Sequence, residues 1–324
     1  MAPSSRTKPW SRTRIASSAI TLSVVAMLGP SLEPLPEGIA ERYGIAIPTV
    51  GERLAGGSTG SLLRAGSVVV RAEHADPQNV RWEHELLFFL AEESEAVIAP
   101  LLQRDGSSFF LDGDRVVSVF PFVDGESLKL GDKSLRRTWP TLIGRLHRRA
   151  QAWPVQTPRP GVPGFRDRDW EHNDWWDWDA VEKAPALIRA YEELREWVAH
   201  APPLTVWAIH GDLHPANVLT RDGRIAGIID WHYARRDWPA FELACVAWDV
   251  SRRPNTIVLD DVVMERAVTD YIAAGGPGEP EHLRTLMRLR ALAALLFSLT
   301  RAARGLSSNP AFINMLLPAL DAFA

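Results

Sequence analysis

VWAIHGDLHPANVLTRDGRIAGIIDW, residues 206–231, is the stretch of this sequence that decides the fold. It contains the dipeptide Asp222-Gly223, which strongly favours a tight turn, and apolar residues stand on both sides of that pair. The pattern predicts a β-hairpin over residues 218–229. Because a hairpin brings its two ends together, we expect Asn217 and Asp230 to lie side by side.

Asp212 precedes this hairpin by a few residues and is expected on the loop that leads into its first strand. Transfer of a phosphoryl group requires a carboxylate that orients and deprotonates the attacking hydroxyl. It also requires hard oxygen ligands that hold magnesium against the nucleotide phosphates, and aspartate and asparagine supply such oxygens. The stretch therefore indicates phosphoryl-transfer chemistry.

Two segments of this stretch resemble a known family. His-Gly-Asp-Leu-His-Pro-Ala-Asn-Val-Leu at 210–219, followed by Ile-Ile-Asp-Trp at 228–231, resembles the aminoglycoside phosphotransferase and choline kinase family rather than the protein kinases. The resemblance implies a kinase that uses ATP or GTP, with Asp212 as the catalytic base and Asn217 and Asp230 as ligands of Mg²⁺.

The same resemblance suggests roles for neighbouring residues. His210 is expected to organise the loop without direct chemistry. Glu242, in the acidic segment that begins at Asp237, is expected to brace the catalytic loop. Acidic residues are also favourable at a helix N-terminus, and this explains Asp237 and Glu242 equally well. Neither is placed among the catalytic residues.

The rest of the chain is expected to form two lobes. Short strands, glycine turns and one helix precede residue 121, whereas helical periodicity dominates afterwards. Strands are predicted at 50–54, 61–64, 68–71, 108–111 and 116–120, and helices at 79–92, 135–146, 239–251, 257–274, 280–305 and 309–323. Pro140 is tolerable if it lies in the first turn of its helix. The predicted fold class is α+β, a bilobal protein-kinase-like fold with a small antiparallel-sheet N-lobe (41–122) and a larger, mostly helical C-lobe (123–324).

The first lobe is expected to bind the nucleotide. The glycine-rich loop between two strands could lay backbone amides over phosphates, since glycine permits a close approach. Its predicted binding residues are Gly57, Ser58, Thr59 and Gly60. Phe122 and Val123 follow a strand at the lobe boundary, and the resemblance implies that they form the hinge whose backbone hydrogen-bonds to adenine.

Arg71 stands where kinases carry the lysine that pairs with the nucleotide phosphates. Arginine can bind phosphate in a bidentate manner, but its planar head is not equivalent to an ammonium group. Glu83, on the predicted helix, is its expected ion-pair partner, and Glu85 is the alternative.

The acceptor is less well specified. Residues 167–179 hold four tryptophans and six acidic residues. Aromatic faces and carboxylates attract ammonium groups, which suits a small cationic acceptor such as an aminoglycoside or choline, or an amino-acid-like one. Packing of Trp175 and Trp178 on the core, with the acids in water, explains the pattern equally well.

Composition limits the partners. The chain has 324 residues, 46% of them hydrophobic, and a net charge of -4, which gives no general attraction to nucleic acid or to an anionic membrane. Nucleotide and acceptor are the expected partners, and no obligate protein partner is evident. The single cysteine, Cys245, cannot form an internal disulfide, so a cytoplasmic location is expected.

The N-terminus resembles a signal peptide, because basic residues precede the mostly apolar stretch 15–28. That stretch is too short to span a bilayer. Met27 is a second plausible start of the protein. Residues 1–40 are therefore predicted to be a leader that is disordered or belongs to an overextended start.

Three other functions fit parts of the sequence. His210, Asp212 and His214 could serve as metal ligands of a hydrolase. Arg71, in place of lysine, could indicate a nucleotide-binding pseudokinase. A protein serine/threonine kinase would use the same motif on a different acceptor.

Overall fold

The computed structural model describes residues 31–54, 60–167, 177–181, 184–254, 256–306 and 309–324. Within these ranges the chain forms the two predicted lobes. No helix in them combines the length and the apolar character that crossing a bilayer would require.

The N-lobe is built on one antiparallel sheet of six strands in the order β1-β2-β3-β4-β6-β5. The strands are β1 (Leu32–Pro34), β2 (Val50–Arg53), β3 (Gly60–Ala65), β4 (Val68–Glu73), β5 (Phe109–Asp112) and β6 (Arg115–Pro121), with the short helix α1 (Ile39–Tyr43) after β1. Alternating apolar side chains of β4 and β6, such as Val70, Val117 and Val119, pack with α1 in a small buried cluster. The predicted strands of this lobe are confirmed.

The N-lobe begins earlier than predicted. Leu32–Pro34 pairs with β2, and Ile39 and Tyr43 of α1 are buried against the sheet. The predicted leader, residues 1–40, is therefore wrong over residues 32–40. Residues 1–30 lie outside the described part of the chain. The three-residue β1 was missed because so short a strand carries too few alternations to recognise.

Helix α2 (Pro77–Ala91) follows β4, and the Asp76 side chain accepts a hydrogen bond from the Gln78 N–H at its start. Its apolar face, with Trp82 and Leu86, belongs to the large core of the C-lobe rather than to the small cluster under the sheet. The Trp82 indole N–H also donates to the Thr157 carbonyl at 3.2 Å. Helix α2 is thus fastened to the C-lobe.

The C-lobe is mostly helical. Its helices are α3 (Leu135–Gln151), α4 (Pro185–Ala199), α5 (Pro239–Ser251), α6 (Asp261–Ala273), α7 (Leu283–Ala303), α8 (Pro310–Leu316) and α9 (Ala319–Ala322). Its strands are β7 (Glu126–Ser127), β8 (Trp207–Ile209), β9 (Val218–Arg221), β10 (Arg224–Ile228) and β11 (Arg235–Asp237). Strands β10, β9 and β7 form one sheet in that order, and β11 pairs with β8.

Pro140 does not lie in the first turn of its helix, as the sequence analysis required, but inside α3, where it is buried. Its ring removes the hydrogen bond that its nitrogen would otherwise donate to the carbonyl of Arg136 one turn earlier. Burial beside Trp139 and Ile143 in the C-lobe core compensates for that loss.

Candidate active site

The β9–β10 hairpin forms as predicted, with Val218 opposite Ile228 and Arg221 opposite Arg224. Asp222 and Gly223 both have positive φ angles, 53° and 72°, which two-residue hairpin turns of this type require. At the open end, the Ile229 N–H donates to the Asn217 carbonyl at 2.9 Å. The hairpin therefore brings the backbone segments of Asn217 and Asp230 together.

The loop before the hairpin is held by a glycine with a positive φ angle and by hydrogen bonds of His210. Gly211 has a φ of 85°, and a Cβ there would lie 2.0 Å from the Tyr233 carbonyl, so only glycine fits. His210 accepts a hydrogen bond from the Asp212 N–H at Nδ1 (3.2 Å), and its Nε2 lies 2.9 Å from the Ile229 carbonyl. This network assigns the proton to Nε2. His210 thus joins the loop to the end of the hairpin.

Asp212 projects from this loop with its side chain partly exposed. Its Oδ2 lies 3.6 Å from the Nε2 of His214, whose Nδ1 accepts the Ala216 N–H. Burial raises the pKa of Asp212, but the hydrogen bond and charge interaction with His214, together with the charge of Arg290, outweigh it and hold the pKa below 3.8. Asp212 is therefore ionised at neutral pH and can accept a proton.

The interaction between Asp212 and His214 shifts the pKa of His214 in the opposite direction. Burial lowers the pKa of His214, but the Asp212 carboxylate stabilises the imidazolium and raises the pKa above 6.5. Under the kinase interpretation of the sequence, His214 had no chemical role. Its contact with Asp212 lowers the pKa of that carboxylate.

Asn217 and Asp230 fit a divalent metal ion. The Asn217 Nδ2 donates to the Asp212 carbonyl at 2.9 Å, which orients the amide, and within the described residues its Oδ1 accepts no hydrogen bond. Asp230 is exposed and adopts the left-handed conformation, with φ 64°. Such backbone strain outside glycine is concentrated at functional sites. Two oxygen donors beside nucleotide phosphates suit Mg²⁺, which keeps few protein ligands.

Glu242 of α5 contacts the catalytic loop directly. Its Oε1 accepts the Gly211 N–H at 2.6 Å, and its Oε2 lies 2.8 Å from His147 Nε2. His147 Nδ1 in turn lies 2.7 Å from the Tyr271 hydroxyl. Burial raises the pKa of Glu242, but the hydrogen bond from His147 and its charge lower the pKa below 4.5. This buried carboxylate fixes the loop, as the sequence analysis expected.

Asp237 also does more than cap a helix. It is fully buried and accepts hydrogen bonds from Arg235 Nε and the Phe165 N–H, both at 2.9 Å. Arg235 Nη1 donates to the carbonyl of Gly211 at 3.2 Å. Asp237 therefore supports the catalytic loop through Arg235.

Arg71 and Glu83 are brought together, with Nη1 2.7 Å from Oε1, whereas Glu85 is exposed. Nε of Arg71 also lies 3.0 Å from Oε1 of Glu73, so two carboxylates pair with this guanidinium. Burial lowers the pKa of Arg71, but the charges of Glu83 and Glu73 raise it overall. Burial and the charge of Arg71 lower the pKa of His84 to about 3, so that neighbour is neutral.

Arg159 was missed by the sequence analysis. It lies in the proline-rich connector, with its side chain 1% exposed, and its Nη2 is 2.6 Å from the second oxygen of Glu83. Its Nε donates to Asn79 at 2.8 Å, and its Nη1 donates to the carbonyls of Trp231 and Ala234 at 3.0 and 3.1 Å. Arg159 thus ties helix α2 to the turn that follows Asp230.

The other predicted nucleotide contacts are only partly visible. Gly57, Ser58 and Thr59 lie outside the described residues. At Gly60, a Cβ would lie 2.4 Å from the Ala72 carbonyl, so close packing of β3 on β4 is one reason for glycine there. At the hinge, the Phe122 N–H donates to the Ser67 carbonyl at 2.8 Å and is not free for adenine. The Phe122 carbonyl and the Val123 backbone remain the predicted adenine contacts.

The acceptor segment 167–179 lies outside the described residues from Arg168 to Trp176. Trp178 stacks on Tyr191 of α4, with ring centroids 3.7 Å apart, as the core-packing interpretation expected. An ion pair that the sequence analysis missed joins two helices of the C-lobe: Arg290 Nη2 of α7 is 2.6 Å from Asp249 Oδ2 of α5. The charge of Arg290 is near enough to act on Asp212.

The hydrolase alternative fails on geometry. Within the described residues no three His, Cys, Asp or Glu side chains are grouped to hold a metal ion. Both ring nitrogens of His210 are engaged with backbone groups, so this side chain lacks a lone pair for a metal.

Comparison with known proteins agrees with this geometry. Residues 52–305 match the model of the phosphotransferase enzyme family. A homoserine kinase of Gluconobacter oxydans is 27% identical over 177 residues, 52% of this chain and 54% of the relative, so the chain spans about half of that relative's length. A homoserine kinase of Azorhizobium caulinodans is 27% identical over 240 residues, 71% of this chain and 70% of the relative.

Among solved structures, amicoumacin kinase hAmiN, in complex with AMP-PNP, Ca²⁺ and Ami, superposes with a TM-score of 0.65. The identity is 13%, and the superposition covers 95% of this chain and 93% of that one. At this identity the likeness concerns the fold alone. The predicted bilobal α+β fold and the family resemblance are confirmed.

Proposed function

Because the chain belongs to the phosphotransferase enzyme family, we propose that it transfers the γ-phosphate of ATP or GTP to a hydroxyl of a small acceptor. The observation that carries this proposal is the open end of the β9–β10 hairpin. There the loop bearing Asp212 is hydrogen-bonded to Asn217, and the adjacent backbone bond joins Asn217 to the segment of Asp230. These side chains supply a base and two metal ligands within one small region.

In the proposed reaction, Asp212 accepts a hydrogen bond from the acceptor hydroxyl and takes its proton. The hydroxyl oxygen forms a bond to the γ-phosphorus, and the bond from that phosphorus to the β-phosphate oxygen breaks. The products are the phosphorylated acceptor and the nucleoside diphosphate. A Mg²⁺ ion held by Asn217 and Asp230 would neutralise phosphate charge during this transfer.

Nucleotide binding is assigned to the N-lobe. Arg71, held by Glu83 and Glu73, is assigned to the phosphates, and the Phe122 carbonyl and Val123 backbone are assigned to adenine. The pseudokinase alternative rested on arginine at position 71. The ion pair between Arg71 and Glu83 supports the proposal that Arg71 keeps the phosphate-binding role of the kinase lysine. Supply of ATP favours a cytoplasmic location.

For the acceptor we propose a hydroxy amino acid or an amino alcohol. Homoserine kinases of two organisms resemble this chain in sequence. The pair Asp249–Arg290 lies near Asp212 and offers a carboxylate and a guanidinium to the two charges of a zwitterion. The choice of acceptor is a more specific proposal than phosphoryl transfer itself, and it is tested separately.

Purified protein with ATP and Mg²⁺ is expected to phosphorylate L-homoserine or a related amino alcohol, because it carries the full set of groups named above. Mass spectrometry of the acceptor should show the added phosphate, with choline, an aminoglycoside, a macrolide and a serine-containing peptide assayed in parallel. Removal of Mg²⁺ with EDTA should abolish transfer, and added Mg²⁺ should restore it. Transfer to the peptide alone would identify a protein kinase. Phosphate transfer to none of the panel would contradict the proposal.

His214→Gln is expected to move the acid limb of the kcat/KM profile to higher pH. In the wild type, His214 holds the pKa of Asp212 below 3.8 despite the opposing effect of burial. A neutral glutamine removes that effect, so the pKa of Asp212 rises and the ionised base is lost at a higher pH. Kinetic pH profiles of both proteins provide the test.

His200→Gln is the matched control, since His200 is exposed at the end of α4 and pairs with Glu196. Its profile should coincide with that of the wild type. Superimposable acid limbs for His214→Gln and wild type would show that His214 does not control Asp212.

A further inference from the structure

A basic groove lies on the C-lobe between helix α3 and the turn of the β9–β10 hairpin. It encloses about 770 Å³. Its walls are the exposed side of α3, the segment 93–96 and the start of β10. Its lining carries five arginines, which are Arg137, Arg145, Arg148, Arg149 and Arg224, against the acids Glu93, Glu95 and Asp270. The groove is thus locally positive on a chain whose net charge is -4.

Most of these arginines are not engaged in an ion pair within the described residues. Arg149 is paired with Glu92 and Glu93. Within the described residues, the other four arginines of the lining form no ion pair with a carboxylate, and all four are exposed. Unpaired guanidinium groups can donate to carboxylates in a bidentate manner.

The arginines follow a line rather than converging on a point. Arg137, Arg145 and Arg148 lie on one face of α3, because their spacing follows the helical repeat. The first and last of them are about 16 Å apart along the helix axis, from the rise of 1.5 Å per residue. A single phosphate group cannot contact all three, whereas an extended chain of anionic groups can.

The opposite wall offers an unpaired strand edge. Strand β10 is the outer strand of its sheet. Within the described residues, its outer edge is bonded to another segment only at its end, where the Ile228 N–H donates to the Ala96 carbonyl at 2.7 Å. The part that bears Arg224 and Ile225 lines the groove, and its outer edge has no partner strand within the described residues. An extended peptide can add to such an edge.

Between these walls the floor is apolar, with Leu142, Leu146 and Ile225 in the lining. The lining residues that the structure describes include no aromatic ring on which a nucleobase could stack. A line of guanidinium groups, an apolar floor and a free strand edge match a peptide that alternates acidic and apolar side chains. We propose that this groove binds an extended acidic segment of a partner protein, which adds to β10 as a further strand.

This site is distinct from the active site and does not depend on the proposed phosphoryl transfer. The hairpin turn borders the groove, whereas Asn217 and Asp230 lie at the hairpin's other end, roughly 13 Å away for strands of this length. None of the residues assigned to catalysis, metal or nucleotide lines the groove. The net charge of the chain does not reveal this local excess of arginine, because it averages over the whole sequence.

The test uses a short fluorescein-labelled peptide that alternates glutamate with valine, and measures its fluorescence anisotropy with the full-length protein. Saturable binding is expected, and Arg145→Glu/Arg224→Glu, with one change on each wall, should weaken it at least about tenfold because two attractions become repulsions. The matched control, Arg189→Glu/Arg195→Glu, makes the same charge change on exposed positions of α4 and should stay within about twofold of wild type. Circular dichroism should show both variants folded.

The strand-addition part has its own probe. The same peptide with alternate backbone amides methylated keeps its charges but cannot pair with β10, so it should bind at least about tenfold more weakly. Equal affinity of the two peptides would overturn strand addition. No saturable binding by the wild type, or equal weakening by the control variant, would overturn the site. Stronger competition by inorganic polyphosphate than by unlabelled peptide would identify a site for phosphate chains instead.

Discussion

Replacement of Asp212 by asparagine is expected to lower kcat about 10³-fold while leaving nucleotide affinity within about twofold of wild type. Asparagine keeps the size of the side chain but cannot accept the proton of the acceptor hydroxyl. The contacts that hold the loop, from the Asp212 N–H to His210 and from Asn217 to the Asp212 carbonyl, use backbone atoms and survive the change. Steady-state kinetics, with calorimetric titration of AMP-PNP and Mg²⁺, separate the two effects.

Asp114→Asn is the matched control for that experiment, since Asp114 is an exposed aspartate of the N-lobe whose neighbour is His74. Its kinetics should equal those of the wild type. If Asp212→Asn retained more than about a tenth of wild-type kcat, the assignment of the base would fall, because the removal of a general base costs more than that. A parallel loss of AMP-PNP affinity would indicate a damaged loop rather than lost proton transfer.

Arg159→Met is expected to reduce the free energy of unfolding by about 3–5 kcal/mol, the usual effect of removing one partner of a buried ion pair. It would leave one oxygen of Glu83 without its cation and leave the carbonyls of Trp231 and Ala234 without their donor. Because those carbonyls belong to the turn after Asp230, the KM for the magnesium–nucleotide complex should also rise, at least about fivefold. Urea denaturation and nucleotide-dependent kinetics measure the two quantities.

Arg236→Met is the matched control. Arg236 is also partly buried, but within the described residues it donates only to the carbonyls of Val155 and Val206, at 3.3 and 3.2 Å. Its loss should cost about 1–2 kcal/mol of stability and leave the KM unchanged. Equal stability losses in the two variants would show that the pairing with Glu83 adds nothing. An unchanged KM for the magnesium–nucleotide complex in Arg159→Met would show that Arg159 contributes to folding but not to nucleotide binding.

The loss of unfolding free energy in Arg159→Met is expected to depend on pH in one direction. Burial raises the pKa of Glu83, but Arg71 and Arg159 outweigh it and lower the pKa below 4.5. The stability that Glu83 contributes is therefore present above pH 4.5 and is lost as the pH falls through its folded pKa. The difference in unfolding free energy between wild type and Arg159→Met should shrink in that acidic range.

Local sequence was sufficient for the parts of the site that are close together in the chain. The turn pair Asp222-Gly223 identified the hairpin, and the hairpin alone was enough to bring Asn217 toward Asp230. Alternating apolar residues likewise identified β4 and β6, because a strand with one buried face has a period of two.

The parts that were missed depend on contacts between distant segments. Arg159 stands among prolines in a connector, and its partners come from α2 and from the turn after Asp230, so no local pattern marks it. The pair Asp249–Arg290 joins two helices in the same way. Helix α4 was not predicted. The start of the N-lobe was placed too late, because the three residues of β1 are recognisable as a strand only through their pairing with β2.

The attachment of α2 to the C-lobe determines how the nucleotide cleft can open. Since Trp82 and Leu86 belong to the C-lobe core, a rotation of the six-stranded sheet would carry Arg71 with β4 and leave Glu83 behind. The ion pair between them would then separate on opening and reform on closure, together with the contacts of His84 to Ser108 and Ser118. Glu83 would stay neutralised throughout, because Arg159 moves with it. When the cleft opens, the buried carboxylate of Glu83 would therefore keep one cation beside it. Opening and closing the cleft would then cost little free energy.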